Sequence, residues 1–582
     1  MTLKNNLSAD IKLFPFLSFK SSLGLDLTRT SDEGFSPKYY LSGTDQVADA
    51  KVERGIGQRD FWVFENYFSY NDKFGDHAVS AMAGTSAEKE RYETVKASKE
   101  GFVNNDYSQQ IINAGTKNPG ASGSVSYHTM NSYFGRVFYS YADRYMITAN
   151  VRWDGSSNFA DNHRWGVFPS VSGGWNFREE SFIKETIGDW FSQGKLRAAW
   201  GEIGNQNISS GAYLTQYGNS GYYLLGNAME PWLSGGRKTV GNPDLKWETT
   251  RQLDFGLDLA FFNSALKFNI DYFDRKTEDM LVRVPMPAAI GLPDTPWSNA
   301  GSVSNRGFEF VIDYHGQVGK DFSYNIAGNL STYKNKVLSL GGGTNIPGKT
   351  HLGNQVNTMI EPGKPIGYFY GYKMDGVFQT QEEIDNYRGG PNNTVIMPTA
   401  EPGDLKFVDL NGDGKIDAEH DRKIIGNKNP SCRFSFNNTL TWKNWSLYFM
   451  LNSMLGGGGY YMGGNGLLAP NNSSDYVIRL NQPSTREYWT PENRSNEGLA
   501  LFRNQQIATD IYQNRGFVRL QDVSLMYTFD KKLLQKTGVI GQLQLFLTGK
   551  NLYTFTGWDG WDPEYTTFPL TRSLQFGIKL SL

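Results

Sequence analysis

The sequence predicts an all-β fold, a transmembrane antiparallel β-barrel of about sixteen strands, on three observations. Apolar residues at every second position recur from one end of the chain to the other, the mark of strands with one apolar face. No stretch of about eighteen apolar residues exists, which excludes helical membrane spans but not strand crossings, whose residues are only half apolar. The connections between alternating runs are long and short in turn, as when short turns lie on one side of a membrane and long loops on the other.

Taken in order, the alternating runs are Phe16 to Thr28, Gly57 to Asn71, His77 to Tyr92, Ser132 to Tyr141, Tyr145 to Trp153 and Trp165 to Asn176. In the fifth run Tyr145, Ile147, Ala149, Val151 and Trp153 share a face that would meet lipid. A polar, helical connection through Phe182, Ile183 and Ile187 leads to Gly194–Gly204, then to a hairpin around Asn263-Ser264 in which Leu253, Phe255, Leu257, Leu259 and Phe261 alternate with polar residues. Asp254, Asp258 and Asp271 then face water. Gly307 to Gly316, Phe322 to Leu338, Cys432 to Trp442, Trp445 to Leu455, Phe517 to Phe529 and Gln542 to Phe555 follow. The last run, Arg572 to Leu582, alternates to the final residue; a fraying terminus gains little from burial, so this strand calls for neighbours on both sides.

Long connections are expected at 29–56, 93–130, 205–247, 282–303, 339–431 and 456–514, and short ones at 71–74, 142–144, 263–264, 317–321 and 443–444. Composition is even over the 582 residues, so one barrel, 1–582, is expected, with 1–15 a non-native or truncated start. No basic stripe appears, so no nucleic-acid partner is implied at a net charge of −2. A single cysteine, Cys432, permits neither an internal disulfide nor a cysteine metal cluster. Residues 1–10 lack the apolar core and cleavage site of a secretory signal peptide. The six histidines show no metal spacing and no nucleophile signature accompanies them, so catalysis is not expected.

One motif carries ligand chemistry: Asp409-x-Asn411-x-Asp413-Gly414-x-x-Asp417, oxygen-bearing side chains at alternate positions with glycine at the sharp turn, the arrangement hard cations such as Ca²⁺ need. The expected ligands are Asp409, Asn411, Asp413, the Lys415 carbonyl and Asp417, with Asp421 completing the set by a one-residue insertion, since the twelfth position is His420. The alternative is a polar surface turn. The glycine runs at 341–343 and 456–459 lack the setting of a phosphate loop.

Several ordered motifs carry a resemblance: Tyr133-Phe-Gly-Arg-Val, Arg152-Trp-Asp-Gly-Ser-Ser-Asn-Phe159, Arg164-Trp-Gly-Val-Phe-Pro-Ser170, Asn242-Pro-Asp-Leu-Lys-Trp-Glu248 and Asp271-Tyr-Phe-Asp-Arg-Lys-Thr-Glu-Asp-Met-Leu281. Pro402 to Gly414, Arg519-Leu-Gln-Asp-Val-Ser-Leu525 and Gly549-Lys-Asn-Leu-Tyr-Thr-Phe555 complete the series. Together they resemble the SusC/RagA-type TonB-dependent outer-membrane transporters, and Gln575, Gly577, Leu580 and Leu582 resemble the terminal signal of outer-membrane barrel assembly, with leucine where aromatics are usual. The resemblance implies a barrel of about 22 strands around a plug. This chain is then the C-terminal barrel portion, lacking the plug, the TonB box and roughly six strands.

It also implies an outer-membrane location, a SusD-type lipoprotein partner, the TonB complex reached through the missing N-terminal part, and a glycan or peptide as cargo. Loop aromatics suited to stacking on sugar rings are Tyr222, Tyr223, Trp232, Trp297, Tyr460, Tyr461, Trp558 and Trp561; each equally suits loop packing or the interfacial girdle. The competing reading is a passive sixteen-stranded porin, complete as it stands.

Overall fold

Two-residue turns impose the architecture. Residues with positive φ, Ala142 and Asp143 (both +53°), Asn263 (+54°) and Lys443 (+52°), give the twist that lets antiparallel strands continue without splaying. A computed structural model of the chain describes all residues except 44, 219–221, 226–227, 232–235, 284–294, 342–344, 352–355, 461–488, 497–511, 559, 561, 566–569 and 582. Two units are distinguished: residues 1–175, 198–252 and 277–300, and residues 176–197, 253–276 and 301–582.

The first unit is an antiparallel meander: β1 (Thr2–Phe14), β2 (Leu17–Ser36), β3 (Lys51–Phe74), β4 (His77–Glu100), β5 (Lys117–Tyr141), β6 (Tyr145–Ser156) and β7 (Trp165–Trp175), each paired with the next. β8 (Phe191–Asn205), β9 (Glu248–Phe261) and β10 (Leu266–Glu278) follow in the sequence, with the expected helical turn at Ser181–Thr186 before them. The second unit holds another meander: β11 (Ser302–Val318), β12 (Phe322–Ser339), β13 (Cys432–Trp442), β14 (Trp445–Leu455), β15 (Phe517–Thr528), β16 (Gln542–Thr556) and β17 (Ser573–Ser581).

Two expectations are corrected. Residues 2–14 are a strand in register with β2 from Thr2↔Thr28 to Phe14↔Leu17, so among the described residues the large sheet has one strand more than the sixteen runs read from the sequence. Leu3, Leu7 and Ile11 stand on its outer face, but Asn5 and Ala9 between them dilute the alternation. The connections at 29–56 and 93–130 are largely strand: β2 to β5 continue by many residues and leave only 37–50 and 101–116 outside the ladder. Those remnants share a small core of Ala50, Val52 and Phe102. Where both faces are wet, apolar periodicity vanishes while backbone pairing continues, so the extensions are invisible to a pattern search.

The ladder explains the alternation. In β6 the outward residues Tyr145, Ile147, Val151 and Trp153 are 45–50% exposed, an apolar surface tolerable only against lipid. Tyr145 to Trp153 spans nine residues, about 26 Å along the strand, enough to cross the hydrocarbon layer. Aromatics mark both edges: Tyr133, Trp153 and Trp165 pack with centroids 5.2–6.1 Å apart at the loop end, and Phe74, Tyr141, Tyr145 and Trp175 sit at the turn end. In the second unit Leu574, Phe576, Ile578 and Leu580 of β17 are 51–76% exposed.

The other face is polar and paired. Arg59 joins Asp26 (3.1 Å) and Glu90 (2.7 Å). In the second unit Arg197 grips Asp258 through two bonds (2.7 and 2.8 Å) and Asp271 at 2.9 Å, which accounts for two of the three carboxylates expected to face water.

Of the terminal residues, Gln575 lies opposite Thr548 and Leu580 opposite Leu543, while Leu582 lies outside the described residues. Gly577 has a packing reason to be glycine, since it faces Phe546 across the ladder and a Cβ there would sit 2.2 Å from the Phe546 ring. Gly577→Val should therefore slow the appearance of the heat-modifiable folded band in a pulse-chase experiment, and Phe546→Ala in the same chain should restore it. No rescue would mean that the glycine is read for itself rather than for the room it leaves.

Candidate functional site

The sequence places its ligand chemistry in the connection 339–431, and the structure shows a small folded body there, within the second unit. Helix Gln381–Asn386 is started by Thr380, whose hydroxyl accepts the Glu383 N–H while the Glu383 carboxylate accepts the Gln379 N–H. Phe378, Ile384 and Ala400 form its core, with Tyr387, Val395 and Met397 packed around it. Strands Tyr368–Tyr372 and Arg422–Gly426 pair at its base. Tyr368 is buried there and donates to the Glu361 carboxylate; burial first, then that bond, push its phenol above its ordinary pKa. The rest of the body is tied to a second connection: Trp489 Nε1 donates to Gln379 Oε1 (3.0 Å) and the Val377 N–H to Asn496 Oδ1 (3.2 Å).

The acidic motif forms one tight loop on this body. Asp409 accepts the N–H groups of Gly412 (2.7 Å) and Gly414 (2.8 Å), Asn411 that of Asp413, and Asp413 that of Lys415. Gly412 (φ +73°) and Gly414 (φ +88°) supply the left-handed conformations that fold the carboxylates inward. Ligand atoms of Asp413, Asp417 and His420 lie within 4.8 Å of one another. Lys415 Nζ reaches Asp417 (3.1 Å) and Asp413 (3.8 Å), so a side-chain ammonium stands against the acids. The backbone N–H of His420, then the Lys415 ammonium, hold the Asp417 carboxyl well below the usual carboxylate range. In turn the Asp417 carboxylate raises His420 above its ordinary value.

Asp421 closes the loop. It is fully buried, and its oxygens accept the N–H groups of Leu410 and Asp417, both at 2.7 Å, so it clasps the two ends of the loop. His420, passed over as a ligand in the sequence because it breaks the spacing, is the residue that faces Asp413 and Asp417.

Two of the predicted cargo aromatics pack against the protein's own side chains. Trp297 is half-buried against a core of Phe159, Leu245, Trp247 and Leu281 in the first unit, with Arg283 over its ring at 5.3 Å. Trp558 is 7% exposed and covered by Arg515, 5.8 Å from its ring. Tyr222, Tyr223 and Tyr460 fall in short strands whose side chains lie outside the described residues, as do Trp232, Tyr461 and Trp561 entirely.

The ordered motifs meet at that same core. Trp247 Nε1 donates to the Arg164 carbonyl (3.0 Å), Asn242 to the Trp297 carbonyl (3.1 Å), and the Leu281 N–H to Glu248 (2.9 Å). Segments remote in sequence are thus tied together at the loop ends of the strands. The sequence assigned no role to Arg519, yet in the second unit it is 1% exposed, paired with Asp562 through two bonds (both 2.9 Å) and with Glu564 (2.8 Å). Its signal was the Arg-Leu-Gln-Asp motif itself, an arginine between the apolar Val518 and Leu520 of its strand.

Comparison with known proteins decides what this wall belongs to. Residues 3–552 match the family described as TonB dependent receptor-like, beta-barrel. The chain belongs to that family. "TonB-dependent receptor P3" of Formosa agariphila is 33% identical over all of this chain and 58% of its own length, and "TonB-dependent receptor SusC" of Bacteroides thetaiotaomicron is 28% identical over 98% and 54%. A solved structure described as the RagAB peptide transporter superposes over the whole chain and 62% of its own, with a TM-score of 0.80 at 23% identity, a likeness of fold. The family is one of outer-membrane transporters and not of enzymes, and the likeness to SusC and to the RagAB structure extends over nearly the whole chain. The chain spans a little over half the length of the curated relatives it matches.

Arg519→Ala should leave the buried Asp562 without its cation, holding only the N–H groups of Glu564 and Tyr565, and cost about 3–5 kcal/mol, read as earlier thermal unfolding of the purified protein and new protease cutting in 557–572. Arg519→Ala with Asp562→Asn should recover part of that loss; equal loss in both would put the stabilisation elsewhere.

Proposed function

We propose that this chain forms the barrel wall of a TonB-energised importer of oligosaccharides or peptides, whose cargo is held between its loop bodies and a SusD-type surface lipoprotein. The observation that carries the reading is the folded state of the long connections. A passive pore needs only short or collapsed loops, whereas here 361–426 has its own core and is tied to 489–496. Family membership supports it against the sixteen-stranded porin. The family's energy source and surface partner reach the chain by analogy. The full-length parent protein, affinity-purified from outer membranes, should bring down a surface lipoprotein, and its deletion should abolish uptake of labelled oligosaccharide or peptide. Recovery of the parent alone, with uptake unchanged by loss of TonB, would refute the reading.

The acidic loop has its own proposed role: it takes Ca²⁺ through Asp409, Asn411, Asp413, the Lys415 carbonyl and Asp417, with Asp421 as clasp, and the ion serves structure. The donor set is oxygen-rich with two glycines at the turn, and the Asp413 and Asp417 carboxylates come within 4.8 Å of each other. A bound cation would displace the Lys415 ammonium and offset part of the entropy lost in ordering this body. Asp409→Ala with Asp413→Ala should increase protease cutting within 361–426 while the β-strands stay protected, and a chelator should do the same to the unsubstituted protein. Identical cutting with and without chelator would remove the metal.

A further inference from the structure

Arg306 of β11 and Lys334 of β12 stand directly opposite each other in the ladder, and Lys336 follows on the same face. All three are exposed, and among the described residues none makes an ion pair or side-chain hydrogen bond. Like charges placed directly opposite destabilise a sheet, so stability alone does not account for the arrangement. The acids of these strands do not relieve it, because Glu309 and Asp313 occupy the other face, opposite Ser331 and Ala327, and Asp274 of β10, which the Tyr272–Phe308 contact sets across from Arg306, makes no ion pair with it. In the first unit two outward-facing cations meet carboxylates, Arg29 with Asp60 at 2.7 Å and Arg91 with Glu93 at 2.6 Å, while Lys89 lies over the Tyr127 ring.

Position identifies the missing anion. The next residues on the cationic face of β11 are Phe308, Phe310, Ile312 and Tyr314, 37–47% exposed, and the Phe308 ring packs against Tyr272 at 5.1 Å. This is the lipid-facing band, and the cations begin one strand repeat, about 7 Å, beyond its aromatic edge on the loop side, which is headgroup depth. We propose that Arg306, Lys334 and Lys336 bind the phosphate of an outer-leaflet lipid whose acyl chains lie along Phe308, Phe310 and Ile312. The guanidinium fork matches phosphate geometry, two ammonium groups add charge, and the apolar band continues without a break from the headgroup site. An acidic protein partner would satisfy the charges but would have no use for the exposed phenylalanines below them.

The test uses the full-length parent protein in zwitterionic detergent, titrated with monophosphoryl lipid A, with the same lipid lacking its phosphate, and with inorganic phosphate, and read by native mass spectrometry. The phosphorylated lipid should bind in preference to both others. R306Q/K334Q/K336Q should weaken it on the order of a hundredfold, each surface cation contributing about fivefold, with heat-modifiable migration retained as the sign of a folded barrel. F308A should weaken the lipid while leaving inorganic phosphate binding unchanged. Equal lipid binding by the triple variant overturns the proposal, and so does inorganic phosphate binding as tightly as the lipid. Loss of the co-purifying lipoprotein with lipid binding intact also overturns it, in favour of a protein interface.

Discussion

Everything here depends on the backbone pairing that hydrocarbon enforces. An unpaired N–H or C=O in the bilayer core costs several kcal/mol, so strands must find partners along their whole crossing, and side chains then alternate between lipid and the polar side with no freedom of register. The unbroken registers of β5 to β7 and of β12 to β14, and that of β11 with β12 from Val303 to Val318, are the direct result. So is the apolar exposure of β17, a liability in water and a requirement in lipid.

That constraint also explains what was legible in the sequence. Inside the membrane one face is apolar by necessity, so β6, β9 and β17 announce themselves. Above it the same strands continue with both faces wet. Segments such as Thr30–Ser36 and Lys117–Asn131 are held by ladder bonds and ion pairs, with no periodicity to read. β1 failed for a subtler reason, because Asn5 interrupts its outer face.

The candidate site was legible in type and not in detail. Alternating oxygens with glycine at the turn located the loop at 409–421, but spacing alone could not reveal that Asp421 points into the loop as a clasp, or that His420 turns toward the acids. Among the loop aromatics sequence offered no way to separate cargo contacts from packing; burial does so for Trp558, and the shared core for Trp297. The motifs that carried the family resemblance are chiefly structural: Trp247, Leu281 and Arg519 hold loop segments together at strand ends. Fold and localisation follow from them, whereas cargo does not.

The central claim is that one face of these strands meets lipid and the other water, and alternate-site labelling tests it most directly. With Cys432 replaced by serine, single cysteines would be placed in turn from Met146 to Arg152 in the full-length parent protein, in intact outer membranes. A bilayer-soluble reagent should modify positions 147, 149 and 151 and a membrane-impermeant aqueous reagent positions 146, 148, 150 and 152, a strict period of two. Equal modification of both sets by the aqueous reagent would contradict the account.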